Sequence, residues 1–168
     1  MKEPFDVLSF RKLASISSDA PDFDFIAFFS GNTRVNGWFS DRFGKPRRHF
    51  CGDFHGTLSG NTLHLHEELR YTNGITDQRL WVVGVSQAGG FTGESESLIG
   101  NAVGTVHGST LRIEYRMKLL IEKDKFWELD MVDTMILQAD GSLHNITHVY
   151  KWGVRIGSVS AMYLKHSG

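Results

Sequence analysis

From about Arg34 to the C-terminus the chain alternates apolar and polar residues, the period of a strand with one face on a core and the other in water. The runs predict strands near 34–44, 47–56, 62–71, 75–86, 90–95, 101–107, 109–120, 125–138, 143–152 and 154–165. The run from Ser109 is the clearest, with Leu111, Ile113, Tyr115, Met117 and Leu119 on one face and Arg112, Glu114, Arg116 and Lys118 on the other. In the next run Trp127, Leu129, Met131, Met135 and Leu137 share a row with Asp133, so a carboxyl is aimed inward, where it must be paired, hydrogen-bonded or protonated. Turn signals such as Ser59-Gly60-Asn61, Ala88-Gly89-Gly90, His107-Gly108-Ser109 and Ala139-Asp140-Gly141 separate the runs.

One-faced strands joined in sequence by short hairpins predict an all-β fold, a single antiparallel up-and-down barrel of about eight to ten strands, because closure removes exposed edges. Ahead of it, Asp22 to Phe29 reads as one or two helical turns following Pro21 and ended by Ser30-Gly31-Asn32, with phenylalanines placed to plug one end of the barrel. Residues 1–20 read as an arm or helical lead-in. The expected division is therefore 1–33, arm and short helix, and 34–168, barrel.

The stretch Thr62 to Ser86 allows two hairpin registers, and the choice decides what lies inside. A two-residue Asn73-Gly74 turn pairs Glu68 with Arg79 and Arg70 with Asp77, but separates Trp81, Val83 and Val85 from the apolar row Leu63, Leu65, Leu69 and Tyr71. A three-residue Thr72-Asn73-Gly74 loop with a left-handed glycine sets Leu65 against Trp81 and Leu63 against Val83. The second is preferred, since burying Trp81 and two valines gains several kcal/mol, more than exposed ion pairs supply. Glu67 then faces Arg79 on the apolar side, either as part of a ligand cavity or as a structural salt bridge closing a barrel end.

Composition narrows the function. Eighteen Lys and Arg against 19 Asp and Glu give a net charge of −1, which argues against an electrostatic grip on nucleic acid or an anionic membrane. The one basic cluster, Lys45, Arg47, Arg48 and His49, reads as a solvated strand end. Cys51 stands alone, so no internal disulfide is expected. The N-terminus lacks the apolar core of a signal peptide and no segment is long and uncharged enough to span a bilayer, which predicts a cytoplasmic location with no integral membrane segment.

His64 and His66 with Glu68 resemble a metal-binding row, yet the preferred register turns that face outward, and no metal or other cofactor is expected. His144 and His148 are too far apart along one strand to chelate together. No phosphate-cradling glycine loop or nucleophile elbow is present. What remains is an inward polar set of Arg42, Glu67, Arg79, Asp133 and Lys151 with the rings of Trp38, Tyr71, Trp81 and Trp127. Strict alternation could turn Arg42 or Lys151 outward. The set reads either as the lining of a small-molecule pocket or as an ionic network tying strands together.

Read together, Phe28-Phe29-Ser30-Gly31, Gly37-Trp38-Phe39, Asp41-Arg42-Phe43-Gly44, Leu65-His66-Glu67, Arg79-Leu80-Trp81 and Lys151-Trp152-Gly153 with Arg155-Ile156-Gly157 resemble the bacterial DUF3833 family, whose members are uncharacterised. The resemblance runs from about Phe28 to Lys165 and implies a lipocalin-like, or calycin, barrel. Many members resemble exported lipoproteins, a leader this N-terminus does not show. The family's paired aspartates before a tryptophan stand here as Val132-Asp133-Thr134, and its late Asn-Arg pair as Asn145-Ile146.

The reading that follows is a lipocalin-like barrel binding an apolar or amphiphilic small molecule, lipid-derived or a fatty-acid derivative. Trp38, Arg42, Tyr71, Arg79, Trp81, Trp127 and Lys151 would form the ligand site, with Arg79 or Arg42 at the polar head. The alternative is a cofactor-independent isomerase, cyclase or hydratase using Glu67 or Asp133 as general base or acid. A third reading has an open strand edge pairing with a second copy, as a homodimer, or with another partner.

Overall fold

The computed structural model describes residues 21–85 and 90–166. Ten antiparallel strands close into one up-and-down barrel: β1 (Gly31–Asp41), β2 (Pro46–Ser59), β3 (Thr62–Tyr71), β4 (Thr76–Val85), β5 (Phe91–Glu94), β6 (Ala102–His107), β7 (Thr110–Glu122), β8 (Lys125–Leu137), β9 (Leu143–Lys151) and β10 (Val154–His166). Each strand pairs with its neighbours in sequence, and β10 returns to β1. The all-β expectation and the short leading helix both hold. The first strand begins at Gly31, three residues before alternation is plain in the sequence, because Gly31 already pairs with Gly56. The expected arm over residues 1–20 and part of the Ala88-Gly89-Gly90 turn lie outside the described residues.

The three-residue register is the one adopted. Leu65 stands opposite Trp81, Leu63 opposite Val83 and Glu67 opposite Arg79. Gly74 takes a left-handed φ of 81°, and its N–H donates to the Tyr71 carbonyl, which forms the bulged loop. Each strand pairs on both sides, so none offers the complete free edge that edge-to-edge dimerisation would use.

One end of the tube is closed by α1 (Phe25–Phe29). Asp24 caps it by accepting from the Ala27 N–H at 3.0 Å, and Lys165 Nζ donates to the carbonyls of Ala27 and Ser30 at the other end. Phe25 stacks on Phe91 at 4.8 Å and Phe29 meets Tyr163 edge-on at 5.7 Å. These rings plug the tube, as their clustering in sequence suggests, and they sit at the heart of the main core. The opposite end carries the β1–β2, β3–β4, β5–β6, β7–β8 and β9–β10 connections.

Gly56 shows how closely the cap seats. A Cβ built there would lie 1.8 Å from the Phe29 carbonyl oxygen, a backbone atom that cannot yield without lifting the helix. Gly56→Ala is expected to destabilise the protein by about 2 kcal/mol or more in chemical denaturation. Gly84→Ala, where nothing lies within 4 Å of the new carbon, should change stability by less than about 0.5 kcal/mol.

Candidate functional site

Alternation around a closed ring sends every second side chain into the lumen, and the α1 plug fills only the lower part. Above it a cavity of about 320 Å³ extends to the open end, walled by apolar side chains such as Phe39, Leu69, Met117, Leu129 and Met131. A smaller void of about 110 Å³ lies beneath, next to the plug. Glu67, Arg79, Tyr115, Asp133 and Tyr163 border both, so a polar band crosses the waist of the barrel between them.

The band has two halves. In the first, Arg79 Nη1 donates to Glu67 Oε1 at 3.2 Å and its Nη2 to Asp77, while Trp81 Nε1 donates to Glu67 Oε2 at 2.6 Å. Burial disfavours a charged guanidinium, yet Glu67 and Asp77 more than offset it and raise the Arg79 pKa. Both carboxylate oxygens of Glu67 are engaged, and the charge of Arg79 is already matched by two carboxylates. In the second half, Asp133 accepts from the Thr147 hydroxyl, whose oxygen in turn accepts from Asn145 Nδ2 at 3.2 Å. Tyr115 and Asn145 also hydrogen-bond to Asp133. Asn145 Oδ1 is buried without a hydrogen-bond partner among the described residues.

The open end of the cavity is cationic. Arg48 lines it, with Nη2 near the Ile121 carbonyl and its guanidinium 5.9 Å from the Tyr71 ring centre. Lys151 Nζ lies 3.4 Å from the centre of the Trp127 ring at the rim. Neither cation has a carboxylate within salt-bridge distance among the described residues, whereas Arg47 beside them is held by Asp41.

The residues singled out from sequence are thus divided. Glu67, Tyr71, Arg79, Trp127 and Asp133 meet on the upper cavity. Trp81 faces the lower void and packs edge-on against Tyr115. Lys151 sits at the rim rather than in the wall. Trp38 and Arg42 are corrections. The inward row of β1 is Thr33, Val35, Gly37 and Phe39, so Trp38 points outward, 41% exposed, over His49. Gly37 takes the inward position because Phe50 and Ala161 leave no room for a side chain there. Arg42 lies beyond the strand end, exposed in the β1–β2 turn and stacked on Phe43 at 4.7 Å. His64 and His66 lie on the outward face of β3, as the register requires.

Sequence reasoning passed over Phe39, Arg48, Asn145, Thr147 and Tyr163. Parity carried the signal for four of them: Asn145 and Thr147 share a row with Leu143 and Val149, and Tyr163 and Phe39 stand on the inward rows of β10 and β1. Arg48 follows by pairing, since it stands opposite Phe39.

A closed ten-stranded barrel, plugged at one end and open at the other over an apolar cavity with a polar waist, defines the class of protein. Residues 6–165 match the family model described as protein of unknown function (DUF3833), and the chain belongs to that family. No curated protein matches it. Among the described residues no helix is long and apolar enough to cross a membrane.

Burial pushes the Asp133 carboxyl up from its ordinary 3.8 to about 6, against the opposing pull of hydrogen bonds from Thr147, Tyr115 and Asn145. The folded state therefore holds this proton more tightly than the unfolded chain does. Stability from this group is greatest below pH 4, falls as pH rises to about 6, and stays reduced above, by up to about 3 kcal/mol. Asp133→Asn removes the ionisation. Relative to wild type, the variant should be about 2 to 3 kcal/mol more favourable at pH 8 than at pH 4, as read by denaturant titrations at the two pH values.

Proposed function

We propose that the barrel is lipocalin-like in function and binds a single-chain amphiphile, tail in the upper cavity and anionic head at the open end. The observation that carries this reading is the pairing of an apolar cavity with two cations at its mouth, Arg48 and Lys151, that lack carboxylate partners among the described residues. A volume of about 320 Å³ is at the lower end of small-molecule pockets. At about 30 Å³ per water-sized group it accepts a chain of about ten methylenes. The length agrees: from Trp127 to Asp133 along β8 is six residues, about 15 Å of barrel axis at the usual rise and tilt.

Arg79, the head-group partner expected from sequence, is a poorer candidate because its charge is spent on Glu67 and Asp77.

Dodecanoate is the probe. One molecule per chain is expected in native mass spectrometry and calorimetry, and Leu129→Trp, which fills the cavity, should abolish binding. Arg48→Met is expected to weaken dodecanoate by about tenfold while leaving dodecanol unchanged, because only the former brings a charge to the mouth. Absence of any dodecanoate complex would remove the proposal.

A second reading, chemistry at the waist, is favoured by one observation: Asp133 has a pKa near 6 and touches the Tyr115 hydroxyl beside a ligand-sized space. Glu67 is less suited to the role with both oxygens occupied. If Asp133 is a general acid or base, Asp133→Asn should retain binding and lose turnover. Recovery of every bound amphiphile unchanged from the wild type would eliminate that role.

A further inference from the structure

The end of the barrel around the cavity mouth has a composition unlike the rest of the chain. Three adjacent hairpin ends, residues 41–48, 122–126 and 151–155, hold eight Lys and Arg against three carboxylates. The local charge is +5, in a chain whose net charge is −1, so the balance of the whole conceals a one-sided basic face. Of the three carboxylates, Asp41 is engaged: it accepts from the Phe43 and Lys45 N–H groups and from Arg47. The other two mouth connections are not basic, residues 72–75 being uncharged and residues 95–101 containing Glu96.

Large apolar side chains stand out of the same face. Phe43 is 80% exposed and Trp152 89%, at the tips of the β1–β2 and β9–β10 hairpins, which neighbour one another through the β1–β10 pairing. Phe126 and Val154, both more than half exposed, flank them. Each tip ring has a cation over it, Arg42 on Phe43 at 4.7 Å and Lys151 on Trp152 at 4.6 Å. The backbone at Trp152 sharpens the point. It has a φ of 52° in a two-residue turn with Gly153, a position that ordinarily takes Asn, Asp or Gly. A bulky ring held there against its backbone preference and almost wholly outside the protein contributes nothing to the core.

We propose that this rim docks on the surface of an anionic lipid bilayer, the Phe43 and Trp152 tips entering the headgroup region and the surrounding Lys and Arg meeting lipid phosphates. Aromatic rings with a polar or cationic companion suit that interface, and basic residues near it are attracted by anionic lipids. Because the basic hairpins occupy one side of the mouth, the barrel sits tilted, with the cavity opening toward the bilayer. Arg47 and Arg48 of this face also border the cavity, but the Phe43 and Trp152 tips lie outside its lining, so variants at the tips test the surface separately from what the lumen holds.

The test is sedimentation of the protein with vesicles of phosphatidylcholine alone or with one third phosphatidylglycerol. Binding is expected only with the anionic lipid, at low salt, and is expected to fall as salt rises. Phe43→Ser combined with Trp152→Asn should weaken vesicle binding by at least about tenfold. Trp152→Asn alone should melt no lower than wild type, since asparagine accepts the left-handed backbone, so lost binding cannot be lost folding. Brominated acyl chains should quench fluorescence in the wild type and not in Trp152→Phe to the same extent. Failure to sediment with anionic vesicles at low salt overturns the proposal, as does equal binding by the double variant. Retention on heparin without vesicle binding would assign the basic face to a soluble polyanion and would overturn it equally.

Discussion

Charge held inside an apolar tube is the constraint around which this barrel is arranged. Glu67 and Asp133 both project into the lumen, and each must be matched there because water cannot be relied upon to do it. The solutions differ. Glu67 is matched by a fixed cation and an indole N–H, which together engage both of its oxygens. Asp133 is matched only by neutral donors and therefore holds a proton up to about pH 6. The two stand on opposite walls, on β3 and β8, and border both spaces, which makes a waist between a plugged lower half and an open upper half.

The lower half is a core in the ordinary sense. Phenylalanines from α1 plug it down to a void of about 110 Å³, and Gly56 and Gly104 lie where neighbouring backbone or ring atoms leave no space for a side chain. The upper half has no such filler. Its rows of Leu, Met and Val line a space open to solvent, bordered by cations. An apolar wall that is not packed against protein forgoes stabilisation, which a ligand can restore. That asymmetry between the ends, more than any single residue, supports a binding role. The same end bears the exposed tips and the basic hairpins, so cavity mouth and outer rim share one pole of the barrel.

Much of this was legible before any coordinates. Ten runs of alternating residues correspond to ten strands, because a side-chain period of two survives in every strand that separates a core from water. The Glu67–Arg79 juxtaposition followed from asking which loop length buries Trp81. Trp38 and Arg42, expected in the lumen, lie outside it: the parity of β1 gives the inward positions to Gly37 and Phe39, and Arg42 falls beyond the strand in the turn to β2.

The order of apolar and polar residues therefore determined by itself the number of strands, the face each side chain takes and the register of the central hairpin, since these depend on period and on burial between neighbours in sequence. Tertiary closure alone decided which inward residues meet. Tyr115, Asp133, Asn145 and Tyr163 come from four strands, and only the curvature of the ring brings them to one level. It also decided that Arg48 and Lys151 crown a cavity rather than a filled core, and that three separate basic hairpins form one face. A net charge of −1 carries no trace of that face, because a sum over the chain holds no information about where in space the charges lie.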